Sequence, residues 1–462
     1  MIHVEEYDFS IDEFVLRFGK KSGIIPYNII DYKPHSKSPV HGRSPVSADT
    51  YRDIVILYNK NDNEIERLAK RLEGDLKNGY RGSSRIFPGF NKVFDLNVDI
   101  RSHPFDKYDP ENIYRTFEDR CVKSINTCFP LIILPKVNKG IYDSIYYRTK
   151  AEFLRNGIVS QVVTKDLLKN ENNYKWALLP IAIQIFTKMG GVPYVLNRDI
   201  VNGKSRDYSV FIMGLGISQH PLYKNRGVGF ITVFDNKGAW YFMNAKTILM
   251  RKDDEDLRDK LSELLRSAIN EIYKLYGNKN IILIIHYSGK DISSREENAI
   301  KDAINKVNES GGFVAVYVLK IKDSNIAIWE IKNGEYAYPP VGTVFRLKQD
   351  LYLLVTSGCF DEDKTDCNIR RGLSRPIIIS RHRNIEPEGA SKEFNITDRD
   401  LLATVFGMCR LNYSAVQNPV SREPITTRYS REIAWLTLRL KEDFDVDISG
   451  VQNKLRYVMW FI

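Results

Sequence analysis

Apolar residues in the first part of the chain follow two spacings in alternation. A compact apolar run at 53–58 indicates a strand buried on both faces, and leucines and an isoleucine at 65–76 recur three or four positions apart, as on a helix. Further strands are predicted at 94–100, 130–135 and 160–164, and further helices at 111–123 and 141–155. Strands that alternate with helices favour a doubly wound α/β domain with a parallel sheet, which ends near residue 170.

The second half of the chain has a different order of patterns. Three strand patterns that follow one another closely, as in an antiparallel meander, lie at 208–215, 228–234 and 239–243. A long amphipathic helix at 254–276 comes next. It is followed by a strand at 281–285, a helix at 295–308 and strands at 313–321 and 326–331. This is the order of an RNase H-like α/β domain, and it is also compatible with other α+β folds.

One segment before these patterns is rich in turn-forming residues. Residues 33–45 contain three prolines, several serines and five basic or histidine side chains, which predicts an exposed linker. A short β-rich lead at 7–23 precedes it.

Length, charge and cysteine content narrow the class of protein. The 462 residues suffice for two or three domains, and 43% hydrophobic residues exclude a disordered chain. There is no apolar run long enough to cross a membrane and no visible signal peptide, so we expect a cytoplasmic protein without a transmembrane segment of its own. Five cysteines without a Cys-x-x-Cys pair argue against a disulfide framework and a zinc ribbon. The net charge of +10 points only weakly to a polyanionic partner.

The usual sequence motifs of enzymes are missing. The seven histidines are scattered with no helical i, i+4 pair, which disfavours a histidine zinc site. The chain also contains no phosphate-binding glycine loop and no nucleophile elbow.

Four polar residues form the most informative pattern. Tyr146 and Lys150 are four positions apart on a predicted helix and therefore share a face, Gln161 begins a strand, and Lys188 ends a helix. If they converge, one hydroxyl, one amide and two ammonium groups meet, and a terminal phosphate needs this set of donors. A tyrosine ring could also stack on a terminal base. Taken alone, Tyr146 and Lys150 fit an ordinary solvated helix face better than a binding site.

The motifs around these residues resemble those of one protein family. Tyr-x-x-x-Lys, then Gly-x-x-Ser-Gln, then a helix that ends in Lys-Met-Gly-Gly-Val-Pro is similar to the MID domain and MID–PIWI junction of Argonaute proteins. Residues 210–221, 284–289, 412–414 and 424–429 are similar to blocks of the PIWI domain in the same order. The whole resembles a short prokaryotic Argonaute, with no room for the N and PAZ domains of long ones. It implies a lead and linker at 1–45, a Rossmann-like MID domain at 46–172, and an RNase H-like PIWI domain at 173–462.

The resemblance implies a pocket for the 5′-phosphate of a guide strand. Its residues would be Tyr146, Lys150, Gln161 and Lys188. Tyr147 is an alternative to Tyr146, and Gln184 lies where some relatives carry a further lysine. Additional contacts are expected from Arg428 and Tyr429.

A divalent cation accompanies this pocket in prokaryotic relatives. By resemblance, Gln161 and the C-terminal carboxylate of Ile462 would bind a structural Mg²⁺ beside the guide phosphate, because Mg²⁺ prefers hard oxygen ligands. The apolar last residues should be buried, which would fix that carboxylate within the protein. Their simpler role is to pack on the core, and both roles are compatible.

The acidic residues of slicing relatives have no counterpart here. PIWI nucleases hold two metal ions with aspartates. The first of these aspartates corresponds to Gly216 or Ile217 in this chain, and the second corresponds to Ser288. We therefore predict no catalytic residues and no cleavage of the target.

The resemblance implies a guide-dependent protein that recognises complementary invader nucleic acid without cutting it. It would act in defence, by abortive infection, through associated proteins that supply N-like segments and an effector that is toxic or membrane-acting. Two alternatives stay open: a scaffold with a decayed pocket, and an endonuclease with a metal site displaced to Asp207, Asp235, Asp291, Glu296 or Glu297. Basic candidates for contacts with the nucleic-acid backbone are Lys188, Arg226, Arg370, Arg371, Arg375, Arg381, Arg383 and Arg428. The sequence does not distinguish RNA from DNA as guide or target.

Overall fold

The structure is a computed structural model. It describes residues 6–39, 46–81, 83, 85–121, 124–135, 145–201, 208–219, 226–249, 255–277, 280–289, 292–309, 313–332, 335–357, 375–385, 394, 396–413, 420–446 and 455–462. The first elements are β1 (Glu6–Asp8), β2 (Leu16–Arg17), β3 (Ser22–Gly23) and α1 (Ile29–Tyr32).

The next elements form a parallel α/β unit. Its strands are β4 (Asp53–Asn59), β5 (Asp99–Phe105), β6 (Cys128–Leu134) and β7 (Gln161–Thr164). Its helices are α2 (Asn63–Asn78), α3 (Phe90–Phe94), α4 (Pro110–Arg120), α5 (Ile145–Arg155), α6 (Lys165–Lys169) and α7 (Glu171–Lys188). The spatial order is β5-β4-β6-β7, with every pair parallel. The predicted doubly wound domain is confirmed.

Local sequence explains most of these boundaries. All seven residues of β6 are buried, as its apolar run predicts, and Asp62 caps α2 by accepting from the backbone N–H groups of Glu64 and Ile65. The predicted strand at 94–100 is wrong for its first half. Residues up to Phe94 belong to α3, a turn with Asp95 at φ 53° follows, and β5 starts only at Asp99.

The remaining elements build a larger unit. Its strands are β8 (Val195–Leu196), β9 (Ser209–Gln219), β10 (Arg226–Asp235), β11 (Trp240–Leu249), β12 (Asn280–Tyr287), β13 (Phe313–Asp323), β14 (Glu330–Lys332), β15 (Glu335–Ala337), β16 (Thr343–Lys348), β17 (Leu351–Leu354) and β18 (Ile377–Arg381). Its helices are α8 (Glu255–Tyr276), α9 (Ser294–Glu309), α10 (Asp398–Cys409) and α11 (Ile425–Phe444). The predicted strand at 326–331 is confined to the short β14.

One large sheet dominates this unit. Its order is β1-β16-β17-β18-β13-β12-β9-β10-β11. β9, β10 and β11 form the predicted antiparallel meander, whereas β12 runs parallel to both β9 and β13. This is the RNase H-like arrangement predicted from the order of patterns.

The lead and the predicted linker are part of the folded body. β1 pairs with β16 at the edge of the large sheet, and β2 pairs with β8. Ser36 exchanges two backbone hydrogen bonds with Val192, of 3.1 and 2.8 Å, and residues 34–39 are buried or half-buried. The expectation of an exposed linker is therefore wrong for 34–39, because main-chain pairing fixes this segment, whereas Lys33 is exposed. Residues 40–45 lie outside the described residues.

Helix α11 crosses the sheet at close range. A Cβ atom on Gly214 of β9 would lie 2.2 Å from the carbonyl oxygen of Thr426, so only glycine permits this contact. The ring of His286 on β12 hydrogen-bonds to Thr426 at 2.8 Å and to Thr404 on α10 at 2.9 Å. Both helices are thus attached to the middle of the sheet.

Among the helices that the structure describes, none is both long enough and apolar enough to cross a bilayer.

Candidate functional site

Two buried lysines meet where α5 and the end of α7 approach the start of β7 in the α/β unit. Lys150 on α5 and Lys188 at the end of α7 are 2% and 1% exposed. Both ammonium groups donate to the carbonyl oxygen of Ser160, at 2.8 and 3.4 Å. The strand β7 begins just after Ser160, so three elements fix the positions of the two charges.

Two glutamine side chains extend this cluster. Lys188 donates a short hydrogen bond to Oε1 of Gln161, and Nε2 of Gln161 donates to Oε1 of Gln184 at 3.1 Å. Gln184 lies one helical turn before Lys188 on α7, which explains how both reach Gln161. The structure therefore brings together three of the four predicted pocket residues and one of the additional ones.

The electrostatics of the two lysines favour an anionic ligand. Burial lowers the pKa of Lys150 to about 8. Burial and the neighbouring charge of Lys150 hold the pKa of Lys188 well below its usual value. An anion that reaches both ammonium groups would offset their desolvation and their mutual repulsion. This arrangement suits a phosphate group.

Two hydroxyls next to these residues were missed by sequence reasoning. The side-chain oxygens of Thr149 and Ser160 are buried and have no hydrogen-bond partner among the described residues. Buried polar atoms usually have a partner, so both are suited to a ligand oxygen. Their position beside Lys150 and Gln161 in the sequence was the available signal, but it does not show which way a side chain points.

The two neighbouring tyrosines have different environments. The half-buried Tyr146 ring has its centroid 6.0 Å from Nζ of Lys150, which places Tyr146 beside the cluster. Tyr147 is buried, with the guanidinium of Arg439 4.8 Å from its ring centroid. Burial raises the pKa of Tyr146 to about 12, so its hydroxyl stays protonated as a donor.

Arg428 and Tyr429, the additional contacts predicted for the pocket, form their described hydrogen bonds outside the lysine cluster. Arg428 donates to Glu432 at 2.9 Å, and the buried Tyr429 accepts from the backbone N–H of Tyr413 at 3.2 Å. Ile462 packs half-buried against the core, after the largely buried residues 455–461.

The predicted magnesium ion needs hard oxygen ligands. The amide oxygens of Gln161 and Gln184 are of this type and lie within one hydrogen-bonded chain. They fit the ion by ligand type, although Oε1 of Gln161 already accepts from Lys188. Two adjacent ammonium groups repel a cation, so the phosphate oxygens would have to supply the negative charge.

Gly216 and Ser288 lie side by side at the strand ends of the large sheet. A Cβ atom on Gly216 would be 3.3 Å from Oγ of Ser288, and the backbone N–H of Ser288 donates to Leu215 at 3.2 Å. The two positions predicted for missing aspartates are thus neighbours in space. The side chain of Ile217 lies outside the described residues.

The acidic residues considered for a displaced metal site are engaged in local structure. Asp235 accepts from two backbone N–H groups of its turn, at 2.9 and 2.8 Å. Glu296 accepts from Tyr287 and from Ser293 at the start of α9, and Glu297 pairs with Lys301. Asp207 and Asp291 lie outside the described residues. Within the part of the chain that the structure covers, no three His, Cys, Asp or Glu side chains are grouped to hold a metal.

The arginines predicted to contact the nucleic-acid backbone differ in their surroundings. Arg381 is buried and bonded to Asp398 at 2.5 Å, so it serves the fold, and the exposed Arg383 pairs with Asp350 at 2.7 Å. Arg375 is exposed just before β18. Arg370, Arg371 and the side chain of Arg226 lie outside the described residues.

Comparison with known sequences gives matches along most of the chain. The model of the Piwi domain matches residues 129–360. The chain is similar to an Argonaute of Aquifex aeolicus, 26% identical over 324 residues that make up 68% of this chain and 39% of that protein. It is also similar to a Piwi protein of Archaeoglobus fulgidus, 20% identical over 448 residues that make up 91% of this chain and 92% of that one.

Two solved structures share the fold. One is Clostridium butyricum Argonaute bound to a guide DNA and a 19-mer target DNA, with a TM-score of 0.70 and 16% identity, covering 98% of this chain and 55% of that one. The other is Drosophila Piwi, with a TM-score of 0.68 and 17% identity, covering 99% and 56%. The chain spans about two fifths of the Aquifex protein and about half of each solved chain. With the Piwi model matched over half of its length, on an RNase H-like sheet, this chain belongs to the Piwi-domain family of Argonaute-like proteins.

Proposed function

We propose that the protein holds the 5′-phosphate of a short guide strand and recognises complementary nucleic acid without cleaving it. The observation that carries this proposal is the pair of buried ammonium groups of Lys150 and Lys188, held by one carbonyl oxygen. A 5′-terminal phosphate bears nearly two negative charges, so it gains more from this pair than an internal phosphodiester does.

The neighbouring side chains would complete the pocket. The Nε2 amide of Gln184 and the unpartnered hydroxyls of Thr149 and Ser160 offer further donors to the phosphate oxygens, whereas the Nε2 amide of Gln161 would have to exchange its hydrogen bonds to Gln184 and Val162 for a phosphate oxygen. Tyr146 would lie under the first base. Pairing of the remaining guide bases would then supply the sequence specificity.

A magnesium ion at this phosphate is part of the proposal. Gln161 and the C-terminal carboxylate predicted at Ile462 would hold the magnesium ion, and the ion would add positive charge next to the phosphate. We expect chelation with EDTA to weaken guide binding but not to abolish it, because the two lysines remain.

We propose that the protein does not cleave its target because of the residues at the strand ends. Gly216 and Ser288 supply no carboxylate where the slicing relatives need one, and Asp235, Glu296 and Glu297 are engaged in turns, caps or ion pairs. Without several carboxylates the ligand charge for two metal ions is absent. The displaced-site alternative therefore rests only on residues outside the described ones.

We further propose that associated proteins act once a target is bound. Binding alone changes nothing in an invader, so a defence role by abortive infection needs an effector on a partner. Purifying the protein from its host and identifying the associated nucleic acid and proteins tests this part and defines whether the guide is RNA or DNA.

The central test measures binding of guides with a 5′-phosphate or a 5′-hydroxyl. We expect a strong preference for the phosphate, lost in Lys150→Ala with Lys188→Ala, because charge-assisted hydrogen bonds contribute about 1.5–3 kcal/mol each. Lys169→Ala on the neighbouring helix α6 is the matched control, since Lys169 is 44% exposed and pairs with Glu64.

Two results would contradict the proposal. Equal affinity for both guides, unchanged in the double variant, would favour the scaffold alternative. Cut products from a labelled target with Mg²⁺ or Mn²⁺, lost in Asp207→Asn or Asp291→Asn, would favour the displaced nuclease site.

A further inference from the structure

A buried arginine on helix α11 lies against the helix that carries Lys150. Arg439 is 2% exposed, and the Cζ atom of its guanidinium is 4.8 Å from the ring centroid of Tyr147 on α5. The same Cζ atom is 4.9 Å from the ring centroid of Trp435, which precedes Arg439 by one turn of α11. Arg439 therefore contacts one aromatic ring on each of the two helices.

The surroundings of Arg439 offset the cost of burying its charge. Removing a guanidinium from water is unfavourable, and a cation over an aromatic face recovers more of that cost when the pair is desolvated. Nε of Arg439 is also 3.9 Å from the carboxylate of Asp443, at the outer limit of an ion pair. Because Tyr147 is buried as well, its contact with Arg439 belongs to the stronger, desolvated kind.

Tyr147 connects Arg439 with the residues proposed to hold the guide phosphate. Its ring centroid is 5.0 Å from that of Tyr146 in an edge-to-face contact, and the Tyr146 centroid is 6.0 Å from Nζ of Lys150. Tyr147 and Lys150 are three positions apart on α5 and therefore share a face. A shift of the Tyr147 ring would thus move both Tyr146 and Lys150 relative to Lys188.

A second arginine joins the same two helices in the opposite direction. Arg155 at the end of α5 donates from Nη2 to the carbonyl oxygen of Phe444 at the end of α11, at 3.0 Å. Half of the Arg155 side chain is exposed, so water competes for this hydrogen bond. Arg439, which is buried, is therefore the firmer of the two anchors between α5 and α11.

We propose that Arg439 is a positioning residue for the guide 5′-phosphate. By holding the Tyr147 ring, it fixes α5 so that Tyr146 and Lys150 face the phosphate, and it does so without touching the guide. This role rests on the proposed function and adds that the phosphate pocket is complete only when α11 packs against α5. Changes on α11 should then alter the preference for a 5′-phosphate, although α11 carries neither lysine of the cluster.

The test uses the full chain and measures the ratio of its affinities for guides with a 5′-phosphate and with a 5′-hydroxyl. We expect Arg439→Met, which keeps an unbranched side chain but removes the charge, to lower this ratio about five- to tenfold. Arg439→Lys should retain most of the ratio, because an ammonium group also binds an aromatic face. The matched control is Lys441→Met on the same helix, which should leave the ratio unchanged, since Lys441 pairs with Asp445 at 3.5 Å.

Trp435→Leu tests the same contact at a surface position. Trp435 is 37% exposed, so the variant should fold, and it should lower the ratio about two- to threefold because Arg439 loses one of its two rings. A purely structural role of Arg439 would instead lower the unfolding temperature and weaken the binding of both guides alike, with a constant ratio.

A double variant separates positioning from direct contact. If Arg439 acts through Tyr147, Arg439→Met should have little further effect on the ratio in a Tyr147→Leu background. A full further loss would assign a direct phosphate contact to Arg439 and overturn the positioning role.

The positioning role is also overturned if folded Arg439→Met and Trp435→Leu both keep the wild-type ratio, or if Trp435→Leu alone keeps it when Arg439→Met does not fold. The proposed function stays intact in that case, because the wild type still prefers the 5′-phosphate. A wild type without this preference would overturn the proposed function and the role of Arg439 together, so the two failures are distinguishable.

Discussion

The cluster of Lys150 and Lys188 differs from the strand-end region around Gly216 and Ser288 in the charge that it holds. At the cluster of Lys150 and Lys188, two cations are almost fully buried and share one carbonyl oxygen. At the strand ends, Gly216 and Ser288 stand side by side without charge, while Glu296 nearby is engaged by Tyr287 and Ser293. The first region buries two ammonium groups at a cost in desolvation, and the second presents no carboxylate at Gly216 or Ser288.

The two regions are built from different elements of the fold. The lysine cluster depends on α5, β7 and α7, whereas the strand-end region depends on β9, β12 and α11. Buried unpaired cations destabilise a protein, so their retention favours a role in binding an anion.

The largest expected effect is stabilisation by the guide itself. A 5′-phosphorylated guide at about 100 times its Kd should raise the free energy of unfolding by about 2.7 kcal/mol. Thermal unfolding with and without guide measures this effect. At the same concentration, the 5′-hydroxyl guide should give a clearly smaller shift, and Lys150→Ala with Lys188→Ala should abolish the difference. Equal shifts for both guides would remove the distinction drawn between the two regions.

Next in size is the packing of α11 against the sheet. Gly214→Ala should destabilise the protein by about 1–3 kcal/mol or more, because its new Cβ atom would clash with the carbonyl oxygen of Thr426. The matched control is Gly74→Ala within α2, where a Cβ atom meets nothing within 4 Å and helix propensity should add about 0.5–1 kcal/mol. Denaturant unfolding measures both, and the same sign for the two variants would contradict the close approach.

A third effect is acid sensitivity at the centre of the sheet. Burial lowers the pKa of His286 to about 3, so the unfolded chain binds a proton at this residue between about pH 6.5 and pH 3 while the folded chain does not. Stability from this group is therefore fully present above about pH 6.5 and falls by about 1.4 kcal/mol per unit as the pH is lowered. Denaturant unfolding of His286→Gln at several pH values should show a shallower slope than the wild type. Parallel slopes would exclude a neutral buried ring.

The smallest effect is the pH dependence of guide binding. Because the pKa of Lys150 is about 8 in the free protein, its ammonium loses its proton as the pH rises through that value. Affinity for a 5′-phosphorylated guide should fall about threefold from about pH 7.5 to about pH 8.5, as the charged fraction does. Fluorescence titration of wild type and Lys150→Met tests this, and a flat profile is expected for the variant. A fall of equal size in both would assign the effect to another group.

Local patterns in the sequence determined most of the fold. Apolar spacing placed α2, β6, α8 and β12 to within a few residues, because burial on one or both faces leaves a regular signature in the chain. It failed at 94–100, where α3 and a turn at Asp95 happen to produce the same alternation as a strand. It also missed that residues 34–39 are paired, since partners at Val192 and Pro193 are distant in sequence.

For the candidate site, too, the sequence predicted one part and the tertiary structure decided the rest. Residue types and spacing together with the resemblance to Argonaute motifs singled out Tyr146, Lys150, Gln161 and Lys188. Only the tertiary structure decided that the two lysines share the carbonyl oxygen of Ser160. It alone placed Gly216 against Ser288, and it alone put Arg439 against Tyr147. These contacts join residues far apart in sequence, and such pairings depend on how strands and helices pack rather than on any local pattern.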